Sequence, residues 1–280
     1  MVTIMTDSSS MMTVKEGLEQ GIIVNPLSIT IGGETFLDLE EINSDHFLDL
    51  ISKGGIPTSS QPSIGATLDL YHKHSSQELL NLTMTDGLSG TYLTACGAVA
   101  AMDEGDQSNV HVVNTKTLWA TEAYLVHKAA GLAKENLSIE AIIERLRPGI
   151  EHNTSFLIPS DFDYLKRGGR LAPFAANIGG LLKLLPVLHQ SKDGKLLEKY
   201  GLSRNMKSAV QTVIKGLNNF GVDKDHLLCV SHAGAPSLAE DVIAFLRPAF
   251  PDTEITMHPL SPAMITQGGP RCIAIQAIIK

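Results

Sequence analysis

Apolar and polar positions repeat at two periods along this chain, and the switches between them mark out its elements. Val2 to Met5 is a short apolar strand, closed by Thr6-Asp7-Ser8-Ser9-Ser10. An acidic, hydroxyl-rich turn of this kind suits the carboxyl edge of a parallel sheet, where ligands of open α/β sheets bind. It suits a solvated loop with a helix cap equally well. Ile22 to Ile31 holds two strand-like runs broken at Asn25-Pro26, and Gly32-Gly33 makes a hairpin-like turn. Ser44 reads as the N-cap of a helix to about Lys53, stopped by Gly54-Gly55. Pro57 and Pro62 disfavour helix and central strand between Ile56 and Ser63. Ile64 to His74 is expected as a helix with Leu68 and Tyr71 inward.

Leu80, Leu82 and Met84 then alternate as a buried strand, and Thr85-Asp86-Gly87 break the pattern. From Ser89 the period becomes helical, with Ala95, Cys96, Val99 and Met102 recurring along one face. Val110 to Val113 is a strand, Leu118 to Lys134 a long helix capped by Thr117, and Ile139 to Ile150 a further helix. Strands alternating with helices imply βαβ units and a largely parallel sheet.

The second half has a different pattern, which places a domain boundary near residue 155. It divides an N-terminal α/β domain (1–154) from a C-terminal α/β domain (155–280) with a mixed sheet. Ser155 to Ile158 is a strand, and Ser160 with Asp163 forms a capping-box-like pair before a short helix that ends at Gly168-Gly169. Leu171 to Leu188 is unusually apolar, with Lys183 its one charge. A helix apolar around most of its girth is buried in the core or borders an apolar ligand. Ser191-Lys192-Asp193-Gly194 is a hairpin turn between strands. Helices over Asn205 to Asn218 and Ser237 to Leu246, and strands over Leu227 to Ser231, Ile255 to His258 and Cys272 to Ile279, complete the chain. Leu260 to Pro270, rich in glycine, proline and hydroxyls, lies between the last two strands.

Length and charge narrow the function. A chain of 280 residues can bury a sizeable core and still leave room for a ligand cavity. The formal net charge of −8 argues against nucleic-acid binding. Apolar runs of about 18 residues, the length needed to cross a bilayer, are missing. The N-terminus lacks the basic region of a signal peptide. Cys96, Cys229 and Cys272 form no CxxC pair, so neither a zinc site nor a disulfide framework is expected, and a cytoplasmic protein with reduced thiols is.

Several catalytic readings fail. Gly87-Leu88-Ser89-Gly90-Thr91 comes close to the nucleophile elbow G-x-S-x-G, but Thr91 replaces the last glycine. Neither a phosphate loop nor a dinucleotide fingerprint occurs. His72 and His74 are two apart on an expected helix and do not face one ligand; the ten histidines read as surface or core, with His232 and His258 the first exceptions to consider. What remains is hydroxyl-rich turns, Arg170 after a double glycine, and a very apolar segment beside it. This combination fits an amphipathic anion, its head held by hydroxyls and helix N–H groups and its tail by apolar side chains. Each CH₂ taken from water contributes about 0.8 kcal/mol. Ser89 is either part of that head-group site or simply a helix cap.

Four motifs run in order through the chain: TDSSS (Thr6 to Ser10), PTSSQPS (Pro57 to Ser63), LSGTY (Leu88 to Tyr92) and DYLKRGGRL (Asp163 to Leu171), with a weaker GGP at Gly268 to Pro270. In this set the chain resembles the DegV family, whose characterised members bind fatty acids and act as the lipid-binding subunit of bacterial fatty acid kinase. The resemblance implies one long-chain fatty acid between two α/β domains, with Ser59, Ser60, Ser89, Gly90, Thr91, Arg170 and Gln267 around the head group. It implies no catalytic residue, metal or cofactor in this chain. The partner kinase makes the acyl phosphate, Arg204 takes part in docking it, and transient membrane contact accompanies an acyl ligand. The alternatives are a serine hydrolase acting on acyl esters through Ser89 and a carrier of another apolar anion. The chain departs from the family pattern at Thr85-Asp86-Gly87, where two serines and a basic residue are usual. It also has Asn114 for an aspartate and Gln267 for the histidine of a His-Thr-Gly-Pro motif.

Overall fold

The computed structural model of the protein describes residues 1–171 and 184–280. In chain order the strands are β1 (Thr3–Asp7), β2 (Ile22–Asn25), β3 (Ser28–Ile31), β4 (Glu34–Leu37), β5 (Thr58–Ser60), β6 (Leu79–Thr83), β7 (Val110–Asn114), β8 (Asn153–Ile158), β9 (Leu185–Gln190), β10 (Leu197–Ser203), β11 (His226–His232), β12 (Glu254–Pro259) and β13 (Ile273–Ile279). The α-helices are α1 (Val14–Gln20), α2 (Ser44–Ser52), α3 (Ile64–Lys73), α4 (Thr91–Ala100), α5 (Glu104–Gln107), α6 (Trp119–Lys134), α7 (Ile139–Glu151), α8 (Phe162–Gly168), α9 (Met206–Phe220), α10 (Pro236–Leu246) and α11 (Pro262–Gly268).

The fold is α/β. β2-β1-β6-β7 form a parallel four-stranded sheet. β10-β9-β8-β13-β11-β12 form a mixed six-stranded sheet in which only the β11–β12 pair is parallel. β4-β3-β5 form a small antiparallel sheet. β5 pairs on the edge of this last sheet, the one place where its flanking prolines tolerate a strand.

Apolar periodicity decides the packing. Leu125, Val126 and Ala129 of α6 and Ile142 and Leu146 of α7 share one core cluster with Ile4, Leu80 and Leu82 of the parallel sheet and Cys229 and Ile278 of the mixed sheet. These two helices therefore lie between the sheets. Tyr71 and Ala98, on α3 and α4, cover the other face of the parallel sheet, and α9 and α10 cover the other face of the mixed one. A further cluster gathers Ile29, Phe47, Met84, Leu118, Trp119, Leu157 and Met264 from the small and the mixed sheet, the turn after β6 and the helices around them. This is where the cavity lies. Among the described residues no helix is long and apolar enough to cross a membrane.

Most expected elements are present, and the differences are local. Asn43, not Ser44, caps α2 by accepting from His46 N at 2.9 Å, while Ser44 Oγ donates to Leu260 O at 2.7 Å. Gly90 occupies the cap position of α4, so Ser89 is not its N-cap. Thr117 makes no capping bond to α6; its hydroxyl pairs with Thr121 Oγ1 at 2.6 Å. Asp161 caps α8, while Ser160 Oγ donates to Arg271 O. The Ser44 and Ser160 hydroxyls thus take tertiary partners instead of local capping ones. α1, and α11 within the supposed loop Leu260 to Pro270, go beyond the expected elements. Pro262 at the start of α11 is the signal for it. The apolar run from Leu171 falls largely on 172–183, outside the described residues, and its last residues form β9.

Candidate functional site

A cavity opens within the cluster that holds Met84, Trp119 and Met264; its closed part holds about 40 Å³, inside a space of about 540 Å³ that includes solvent at its mouth. Its lining separates by chemistry and by depth. The apolar residues Leu27, Met84, Leu88, Leu118, Trp119, Leu157, Leu197 and Met264 are all buried. The polar residues Ser59, Ser60, Gln61, Ser89, Arg170 and Gln267 are all half-buried or exposed.

Contacts close the polar residues into a ring. Gln267 Nε2 donates to Ser59 Oγ at 3.1 Å. The other side-chain atom, Gln267 Oε1, lies against Gly168, where an added Cβ would come within 2.0 Å of it. Arg170 donates through Nη1 to Gly168 O and through Nε to Leu88 O at 3.1 Å. Ser89 follows Leu88, and the next residue, Gly90, lies under the Gln61 amide, whose Nε2 would be 2.9 Å from an added Cβ. Gln61 leads back through Ser60 to Ser59. The ring thus draws on β5, the turn before α4, the end of α8, and α11. Two of the five N–H groups of Arg170 are spent on backbone carbonyls, which fixes the guanidinium plane. A planar, permanently charged donor held this way suits a carboxylate or phosphate.

Of the residues singled out from the sequence, Ser59, Ser60, Ser89, Arg170 and Gln267 line this cavity. Gly90 and Thr91 stand behind it. Thr91 Oγ1 pairs with Ser89 Oγ at 2.8 Å, and Thr91 N donates to the same oxygen at 3.3 Å. Arg204 is exposed between β10 and α9, away from the cavity. Asp86 is absent from the lining. Asn114 accepts from Lys116 N in a local turn. His232 Nδ1 accepts from Ala235 N, and His258 pairs with Thr256 Oγ1 at 2.9 Å. Neither histidine lines the cavity. Gln61 and Trp119, which do line it, carried no distinguishing pattern. Gln61 belongs to the hydroxyl- and amide-rich stretch Ile56 to Ser63, and Trp119 opens the expected helix without a motif of its own.

The turn that replaces the family's Ser-Ser-basic pattern has a structural use. A Cβ on Gly87 would lie 2.0 Å from Lys195 Cα, so glycine lets the β9–β10 hairpin close against this turn. Thr85 Oγ1 donates to Gly194 O at 2.9 Å across the same contact. The hairpin also brings in Leu197, whose N–H bonds Arg170 O at 3.1 Å.

Thr6 to Ser10 do not face the ligand cavity. They form a buried hydroxyl network that holds three carboxyl groups, each tied to an element of the cavity wall. Asp7 accepts from Ser9 N and, at 2.9 Å, from Met84 N. Asp38 accepts from Ser8 Oγ at 2.7 Å and from Ala263 N, in α11, at 3.1 Å. Glu122, in α6, accepts from Thr6 Oγ1 and Ser9 Oγ. No ion pair to these carboxyls is formed among the described residues. Burial therefore pushes all of their pKa values up, that of Asp38 to about 7, and the Asp7 charge adds to the rise at Glu122. The Cys229 and Cys272 thiols are pushed up to about 12 by burial, which makes them inert packing groups.

The profile of a family described as "Uncharacterised protein, DegV family" matches residues 1–280. A DegV domain-containing protein of Caldanaerobacter subterraneus is 29% identical over 276 residues, covering 96% of this chain and 95% of its own. A Thermus thermophilus DegV family protein whose structure is described by its fatty acid binding superposes with a TM-score of 0.85 at 26% identity, covering 100% of this chain and 99% of its own. DegV of Bacillus subtilis, described as a fatty acid binding protein, gives 0.84 at 25% identity, with coverage of 100% and 99%. On the match of the family profile along its whole length, and on a fold shared from end to end with these structures, this chain belongs to the DegV family.

Proposed function

We propose that this protein binds one long-chain fatty acid and presents it to a partner kinase, which phosphorylates the carboxylate to an acyl phosphate. The carboxylate sits in the ring of Ser59, Ser60, Ser89, Arg170 and Gln267, and the tail runs among the buried apolar residues. The observation that carries this reading is the split of the cavity wall into a surface-side polar ring with one cation and a buried apolar remainder. Solved relatives described as fatty acid binding support it. Burying methylenes at about 0.8 kcal/mol each supplies affinity, and the ring supplies orientation. The protein works in the cytoplasm, and loading brings it into transient contact with the membrane.

The arrangement suits presentation better than catalysis. Ser89 Oγ bonds Thr91, and neither a histidine nor a carboxylate is among the described lining residues to act as its base. This weighs against an acyl-ester hydrolase, and a fluorophosphonate that labels Ser89 would revive that reading. Native mass spectrometry of the purified protein, followed by lipid extraction, tests the proposal. About one fatty acid per chain is expected; an empty protein, or one carrying a different apolar anion, overturns it. Arg204 lies apart from the cavity and serves the kinase. Arg204→Ala is expected to keep its acyl chain while losing turnover by the kinase.

A further inference from the structure

The one tryptophan of the chain is also one of its few buried polar side chains without a partner. Trp119 is 4% exposed and lines the cavity, and its Nε1 makes no hydrogen bond among the described residues. Its neighbours in the core cluster include Met84, Leu88, Leu118, Leu157, Leu197 and Met264, all apolar wall residues. An indole N–H can only donate, and a donor shut away from water without an acceptor is costly. The backbone holds it there deliberately. Trp119 has φ +58°, a left-handed conformation that a bulky side chain adopts only when the surroundings impose it. Gln276 Nε2 donates to Leu118 O and to Thr121 Oγ1, each at 2.9 Å, and Thr85 N donates to Thr117 O at 2.8 Å. The turn is thus bonded on both sides of Trp119.

We infer that Trp119 selects acyl chains carrying an oxygen along the chain, a hydroxy or oxo fatty acid, by donating its indole N–H to that oxygen in the apolar part of the cavity. The inference rests on the fatty-acid reading above and deepens it. A carbon–carbon double bond would be a poorer partner, because an N–H···π contact is weak beside an N–H···O bond. A saturated chain leaves the donor unmatched.

Competition decides this. The protein as purified is exposed to equimolar octadecanoic acid, octadecenoic acid and octadecanoic acids hydroxylated at successive mid-chain positions, and occupancy is read by native mass spectrometry. At least one hydroxy acid is expected to outcompete octadecanoic acid by about 3- to 10-fold, the range one net hydrogen bond supplies. Trp119→Phe, which keeps most of the ring bulk but removes the donor, is expected to abolish that preference, so that the hydroxy acid no longer outcompetes octadecanoic acid in the same mixture. In the wild-type protein, ¹⁵N–¹H spectra give a single indole resonance, expected to move downfield with the preferred hydroxy acid and not with octadecanoic acid. This readout stands even if the variant does not fold. Equal uptake of all acids with an unmoved indole signal overturns the inference and leaves the fatty-acid reading intact. Preference for the alkene alone, or an equal loss of all acids in Trp119→Phe, also overturns it, the latter because the indole would then serve the carboxylate. Uptake of none of the acids defeats the fatty-acid reading itself.

Discussion

Gln267 and Ser59, 208 residues apart in the chain, meet at 3.1 Å on the rim of the cavity. This bond joins α11 to β5 and closes a ring that no local stretch of the chain contains. It also sets the direction of the amide, which gives its N–H to Ser59.

If the ring holds a carboxylate, its members differ in weight. Ser59→Ala and Ser89→Ala each remove a neutral hydrogen-bonding group, and affinity for the fatty acid is expected to fall by about 0.5–1.5 kcal/mol. Arg170→Ala removes the charge and is expected to cost more, about 1.5–3 kcal/mol. Displacement of a fluorescent fatty acid measures all three. Because Gly90 and not Ser89 stands at the cap of α4, Ser89→Ala is expected to leave the melting temperature nearly unchanged.

The contact between Gly87 and Lys195 is backbone against backbone, and neither side can rotate away. Gly87→Ala is expected to destabilise the protein by about 1–3 kcal/mol, the usual cost of overpacking, in thermal or urea unfolding. A mutant as stable as the parent would mean that the hairpin does not close on this turn.

The buried carboxyls make stability depend on pH in an unusual sense. A carboxyl whose pKa is raised by folding binds its proton more tightly in the native state. Its contribution is complete below the unfolded pKa and is lost as pH rises toward the folded one. For Asp38 that window runs from 3.8 to about 7. Asp7 and Glu122 shift in the same direction. Urea unfolding is expected to show stability declining as pH rises through this window. Asp38→Asn, which can still accept from Ala263 N and can donate to Ser8, is expected to flatten the decline. A steeper decline in the variant would rule out Asp38 as a source.

The N-terminus of α2 separates two neighbouring residues by role. Asn43→Ala is expected to lower stability by about 1 kcal/mol through loss of the cap. Ser44→Ala is expected to spare the helix and loosen only its tie to Leu260. Unfolding of the two single mutants and the double mutant measures both; additive losses confirm separate roles.

The sequence by itself determined the elements and the chemistry on offer. Period-2 runs became β1, β6 and β7, helical runs became α3, α6, α7 and α9, and Gly169 ended α8 with φ +69°, because these choices depend on neighbours a few residues away. The motif set was also legible, and five of the residues it implied for the head group line the cavity. Tertiary structure decided what each polar group does. Ser44 and Ser160 looked like caps and found distant partners, and Thr117 pairs with Thr121 one turn on, since a hydroxyl bonds whichever partner the packing brings closest. Thr6 to Ser10 suited a ligand edge or a solvated loop with a helix cap equally well, and the fold buries them around three carboxyls, with Asp7 as a cap. Trp119 has no motif to mark it, and only the fold shows that its one polar atom is buried in the cavity wall without a hydrogen bond among the described residues. Burial, direction and long-range pairing are properties of the folded whole, and a one-dimensional pattern does not contain them.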